Sequence, residues 1–288
     1  MKIAIVTDST ATLTQAEIEK YHIYVEPIPF IFDDQVYREG VDLTTAEFYE
    51  MLQTSTSFPS TSQPSLGDTL ALYQQIKADG YDTIIAIHLA STISGYVNNI
   101  ASLDGAVDGL KVIAYDSMIT VRLMGQLVLK AAGMVQAGVE LDTILATLDT
   151  LRATMDEYFV VDDLQNLVRG GRLSNAGAII GTMLKVKPIL TFDNDTNHIV
   201  PFEKVRSMKK ALKAVEDLFD QAIATVDYPL RATVFHANDE VAGRAWQQEL
   251  QQRHPEIPVE FSYIGAVIGT HLGQGALALT WIREPESL

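Results

Sequence analysis

Four short stretches carry residues whose types and spacing suit chemistry. Thr61-Ser62-Gln63-Pro64-Ser65 and Ser91-Thr92-Ile93-Ser94-Gly95 are rich in hydroxyls. Val168-Arg169-Gly170-Gly171-Arg172-Leu173-Ser174 pairs two arginines with two glycines, and Gly269-Thr270-His271 runs ahead of Gly273-Gln274-Gly275. The two hydroxyl stretches fall where helices are expected to start. Free backbone N–H groups and O–H donors there suit a carboxylate or phosphate. Any one stretch alone reads better as a cap or turn; the four together read as an anion site. The glycines around His271 allow a ligand close approach. His88 ends an apolar run and reads as a satisfied core histidine, while Asp8 and Asp116 read as residues that cap helices or orient loops.

Other chemistries lack their signatures. No G-x-G-x-x-G opens the first helix, no G-x-x-x-x-G-K-[ST] occurs, and no G-x-S-x-G marks a nucleophile elbow. Asp8, Asp116, Asp162 and Asp163 show no metal-ligand spacing. The chain has no cysteine, which excludes thiolate catalysis and fits a reducing cytoplasm.

Charge narrows the partners. The 288 residues carry a net charge of −16, which argues against nucleic acid. Between residues 169 and 210 the sign reverses. Arg169, Arg172, Lys185, Lys187, Lys204, Arg206, Lys209 and Lys210 stand there against three acidic side chains. A basic island in an acidic chain suits an anion or an acidic partner. A hydrophobic fraction of 47% supports packed cores, and no run approaches the ~20 apolar residues of a membrane span. Met1-Lys2 leads straight into Ile-Ala-Ile-Val with no secretory signal, so the expectation is a cytoplasmic protein.

These residues need elements to position them. Apolar runs at 2–8, 24–32, 83–88 and 111–115 read as strands, and periodic segments at 45–54, 66–79, 93–103, 118–137 and 141–158 as helices. Short strands alternating with helices predict a three-layer α/β/α domain with a parallel sheet over 1–155. Ligands in such sheets sit beyond the carboxyl ends of the strands, where Thr7-Asp8-Ser9, residues 88–94 and Asp116-Ser117 fall. Strands at 158–161, 188–193, 198–205, 231–236, 259–264 and 276–282, with helices at 175–185, 207–225 and 239–253, predict an α+β domain over 156–288 with a mixed sheet of about six strands. Asp193-Asn194-Asp195-Thr196-Asn197 reads as a hairpin turn.

In the order Thr7-Asp8-Ser9, Thr61-Ser62-Gln63-Pro64-Ser65, residues 88–95, Asp116-Ser117, Arg169-Gly170-Gly171-Arg172, residues 185–190, Lys204-Val205-Arg206 with Lys209-Lys210, and Gly269-Thr270-His271, the chain resembles the DegV family over essentially its full length. These are bacterial fatty acid-binding carrier subunits of fatty acid kinase. The resemblance implies a two-domain carrier with a long-chain fatty acid in a tunnel at or near the domain interface and no catalytic activity of its own. Positions matching Thr61, Ser62, Ser94, Gly95, Thr270 and His271 would hold the carboxylate. An ATP-dependent kinase subunit, docking on Arg169, Arg172, Arg206 and Lys209, would convert it to an acyl-phosphate for phospholipid synthesis. It implies no cofactor or metal, no nucleic acid, and at most transient membrane contact. The sequence departs from the family pattern at Ala90, Tyr96 and Gln274. Tyr96 stands where a small hydroxyl residue is usual, which leaves acyl preference open. The rival reading is a free-standing phosphotransferase or hydrolase using Asp8, Ser94 and His271.

Overall fold

The computed structural model describes residues 1–174 and 186–288, so the helix expected at 175–185 lies outside the described residues. The chain forms two compact units, Met1–Thr44 with Thr61–Ala153, and Thr45–Ser60 with Thr154–Leu288. Residues 45–60, expected with the first domain, therefore group with the second. The reason is local: α2 (Thr45–Thr54) buries Phe48 and Tyr49, and the Tyr49 hydroxyl donates to the Ile264 carbonyl at 3.0 Å.

In the first unit, β1 (Ile3–Asp8), β2 (Tyr24–Glu26), β6 (Thr83–His88) and β7 (Lys111–Asp116) form a fully parallel sheet in the order β2-β1-β6-β7. Every residue of β1 and β6 is buried, as near-continuous apolar runs in a parallel sheet require. Between them run α1 (Gln15–Tyr21), β3 (Pro29–Phe32), β4 (Gln35–Arg38), a two-residue strand β5 (Ser60–Thr61), and α3 (Leu66–Ala78). The helices α4 (Tyr96–Ala101), α5 (Val121–Gln136) and α6 (Leu141–Arg152) complete this unit.

Two expectations shift here. The strand at 24–32 is two strands, because Ile28 leaves the ladder and donates its N–H to Ser9 Oγ at 3.0 Å. A hairpin follows it, with β3 antiparallel to β4 through Asp33 and Asp34, both at positive φ. The helix expected over 141–158 stops at Arg152, since Tyr158, Phe159 and Val160 are taken into a sheet.

The second unit holds a six-stranded mixed sheet built from β8 (Asp156–Val160), β9 (Lys187–Phe192), β10 (Ile199–Val205), β11 (Leu230–His236), β12 (Val259–Tyr263) and β13 (Leu277–Arg283), ordered β10-β9-β8-β13-β11-β12. Among the described residues, β11 and β12 are the one strand pair of this sheet that runs parallel. Asp193 builds the expected hairpin turn, its Oδ1 accepting from Asp195 N, Thr196 N and Thr196 Oγ1. One sheet face carries α8 (Met208–Thr225) and α9 (Glu240–Arg253), whose Val215, Phe219, Trp246 and Leu250 close a core with Leu279 and Trp281. Two short helices, α7 (Gln165–Arg169) and α10 (Ala266–Leu272), carry the candidates Arg169, Thr270 and His271.

Candidate anion-binding and docking residues

The first unit brings its two hydroxyl stretches together. Gln63 bridges them: its Oε1 accepts from Asn99 Nδ2 at 2.6 Å, and its Nε2 lies 3.4 Å from where a Cβ on Gly95 would stand. Thr61 is half-buried and Ser62 is exposed, with the Ser62 N–H bonded to the Pro29 carbonyl at 3.0 Å. Ser65 caps α3 as expected, accepting from Asp68 N.

Ser94 is half-buried. Its N–H reaches the Ala90 carbonyl at 3.0 Å, and its Oγ accepts weakly from Tyr96 N at 3.4 Å. Its O–H therefore remains available as a donor to an anion. Gly95 is the N-cap of α4, and no side chain caps that helix start. The hydroxyl of Ser94 and the open helix start thus share one turn with Gln63 and Asn99.

Asp8 is spent structurally. Fully buried, it accepts from Thr10 N, Thr10 Oγ1 and Leu89 N, and its Oδ2 lies 3.0 Å from His88 Nδ1. Asp116 likewise holds loops, accepting from Ser91 N at 3.3 Å and Met118 N at 2.8 Å. His88 is a core histidine bonded through Nδ1, but its Nε2 finds no hydrogen-bond partner among the described residues.

In the second unit the Arg-Gly-Gly-Arg stretch and the Gly-Thr-His stretch meet. A Cβ on Gly170 would stand 2.2 Å from His271 Nδ1, so only glycine lets the imidazole lie where it does. His271 sits on α10, a helix that the sequence reading did not assign. That helix tolerates Gly269 because Phe48 and Tyr49 fill the space a side chain would take, with Tyr49 Oη only 2.6 Å from the would-be Cβ. Burial, and then the Arg172 cation, push the His271 pKa down to about 4, so the ring is neutral at pH 7. Thr270 is buried and donates its hydroxyl to the Ala266 carbonyl at 2.9 Å.

The four basic candidates separate by setting. Arg172 is half-buried, donates to the Gly170 carbonyl, and sits beside His271 rather than on open surface. Arg169 is exposed and stacks on Phe58, its guanidinium carbon 3.5 Å from the ring centroid. Phe58 itself is 55% exposed, a residue that sequence reasoning passed over. Arg206 and Lys209 are exposed. Lys209 and Lys210 occupy the first turn of α8, where no acidic residue stands. Cations there oppose the helix dipole at a cost of about 0.3–1 kcal/mol each.

Among the described residues no group of His, Asp or Glu is arranged to hold a metal ion, and no helix is long and apolar enough to cross a membrane.

Comparison with known proteins decides the family. A family model described as "Uncharacterised protein, DegV family" matches residues 2–284. This chain belongs to the DegV family. A DegV domain-containing protein of Listeria innocua is 46% identical over 280 residues, covering 97% of this chain and 98% of the relative. The crystal structure of DegV from Bacillus subtilis, described as a fatty acid binding protein, superposes with a TM-score of 0.91 at 42% identity, covering 99% of this chain and 100% of that one. A fatty acid binding DegV family protein from Streptococcus agalactiae gives a TM-score of 0.91 at 35% identity, with 99% of both chains covered.

In this DegV-family chain the departure at Tyr96 has a definite place. Its ring is fully buried and its hydroxyl shares a 2.8 Å hydrogen bond with Thr69 Oγ1, so it packs into the core of the first unit. Ala90 is also fully buried, and donates its N–H to the Ile119 carbonyl at 2.8 Å.

Proposed function

We propose that this chain is a long-chain fatty acid-binding carrier without catalytic activity of its own, which presents the fatty acid carboxylate to an ATP-dependent kinase partner for acyl-phosphate formation, feeding phospholipid synthesis. The observation that carries the reading is the pairing of the two hydroxyl stretches through Gln63, in a chain whose solved relatives are described as fatty acid-binding.

Neutral donors suit the task. The hydroxyls of Thr61, Ser62 and Ser94 and the backbone at Gly95 offer hydrogen bonds to a carboxylate without burying an ion pair, whose desolvation is costly. In the second unit, Thr270 and neutral His271 are the matching candidates, with Thr270 needing to turn from its own helix. The acyl chain supplies the affinity: sixteen methylenes at about 0.8 kcal/mol each give roughly 13 kcal/mol of gross burial, far more than a few neutral hydrogen bonds contribute. Arg169, Arg206 and Lys209 would meet the kinase, and Arg172, set against His271, would act nearer the carboxyl end.

Against the rival phosphotransferase or hydrolase stands Asp8, buried with its carboxylate fully engaged and so unable to serve as nucleophile or base. The test is extraction: denature the purified chain, partition into organic solvent and quantify fatty acid by mass spectrometry. About one equivalent supports the carrier. A chain that emerges empty yet turns over an ester or phosphate supports the rival.

A further inference from the structure

Behind the Ser94–Gly95 turn, five elements of the first unit (β1, β2, β6, α3 and α4) bury a polar cluster that the carboxylate donors do not use. Asp8 accepts from Thr10 and Leu89, and its Oδ2 lies 3.0 Å from His88 Nδ1. On the other side of the ring Nε2 faces Glu26 Oε2 at 3.7 Å, and neither atom has a hydrogen-bond partner among the described residues. Glu26 is 4% exposed and His88 is sealed from solvent. The titratable groups around Glu26 are Asp8 of β1, His88 of β6, Tyr73 of α3 and Tyr96 of α4. Burial holds the Glu26 carboxyl above the usual range, while His88 and hydrogen bonds from Tyr96 and Thr69 pull it back and Asp8 adds to the rise.

The cluster grips both ends of the turn. Leu89 N is fixed on Asp8, and Ala90 carries Ser94 through the 3.0 Å bond to its carbonyl. At the far end, Tyr96 donates its backbone N–H to Ser94 Oγ, sets its ring edge-on to His88 at 4.8 Å, and ties its hydroxyl to Thr69. Where the Ser94 hydroxyl and the Gly95 N–H stand therefore follows from how His88 and Tyr96 are seated.

We propose that Glu26 and Tyr96 are positioning residues for the Ser94–Gly95 turn, Glu26 by backing His88 and the Tyr96 hydroxyl from β2, and Tyr96 by joining that cluster to Ser94 Oγ. This rests on the fatty acid reading of Ser94.

The experiment titrates the full chain, stripped of lipid, with a fluorescent sixteen-carbon fatty acid. Tyr96→Phe and Glu26→Ala each lower affinity about tenfold, the effect of one misplaced hydrogen bond to a charged group, with near-UV circular dichroism unchanged, and Glu26→Gln, which keeps the size and polar edge of the side chain, restores it. Variants that match the parent, or a Glu26→Gln no better than Glu26→Ala, overturn the positioning role. A parent that binds no fatty acid overturns the fatty acid reading and this inference with it. Should Glu26→Ala fail to fold, Tyr96→Phe decides.

Discussion

His271 Nδ1 fills the volume that any side chain at residue 170 would need. Two residues a hundred positions apart are thus fixed by one steric fact, and the first prediction follows from it. Gly170→Ala forces the imidazole aside and destabilises the second unit by about 1–3 kcal/mol, as overpacking of a fitted interior does. Urea unfolding measures it, and a midpoint equal to the parent's would show that the ring has room to move.

His271 also sets an acid limb of stability. Its folded pKa of about 4 lies below the ordinary 6.5, so the unfolded chain binds the proton more readily. The stability this neutral ring allows is complete above pH 6.5 and is lost as pH falls toward 4, by up to about 3 kcal/mol. His271→Gln flattens that part of the urea midpoint-against-pH curve; an unchanged slope would assign the acid limb to other groups.

Glu157 works in the opposite sense. Burial raises its carboxyl to about 8, despite Phe192 N–H and Thr191 hydrogen-bonding to it. The folded state holds a proton the unfolded state has released, so stability is full below about pH 4.5 and declines as pH rises through 8. Glu157→Gln removes this alkaline decline, readable as a smaller difference between melting temperatures at pH 7 and pH 9. A steeper decline in the variant would contradict the assignment.

How much of this was legible beforehand depended on range. The helix at Thr45–Thr54 and the strand at Thr83–His88 show where they begin and end, since periodicity and a buried apolar run are local signals. The short helix at Tyr96–Ala101 was legible within 93–103, but Ala266–Leu272 was not, because the aromatic pair that packs on Gly269, Phe48 and Tyr49, lies two hundred residues away. The candidate residues themselves were visible as types, but the Gln63 bridge, the Gly170–His271 contact and the Glu26–His88 pairing are products of folding. Nothing near residue 26 announces a carboxyl that will face a histidine of another strand.

Ser94→Ala separates binding from stability. Ser94 is half-buried and makes only a 3.4 Å contact through Oγ, so the unfolding free energy changes by less than about 1 kcal/mol. Fatty acid affinity falls about tenfold, the worth of one hydrogen bond to a carboxylate. Isothermal titration alongside urea unfolding checks both. Loss of stability with intact affinity would make Ser94 a capping residue only.

Lys209→Glu gives two effects of opposite sign. Replacing a cation by an anion in the first turn of α8 stabilises that helix by about 0.5–1 kcal/mol. On the proposed carrier reading, phosphorylation of the bound fatty acid by a kinase partner is expected to slow, as it is for Arg206→Ala. A stabilised variant that is phosphorylated at the parental rate would take Lys209 off the docking surface.

The excursion at residues 45–60 has a bearing on how this chain can be cut and made. The second unit is not a continuous stretch of gene: expressed from residue 154 onward it would lack Phe48 and Tyr49, leaving the helix of His271 without its aromatic backing. A half-protein must carry that borrowed segment in trans or by fusion, and during synthesis residues 45–60 leave the ribosome before any of the stretch from residue 154 with which they pack.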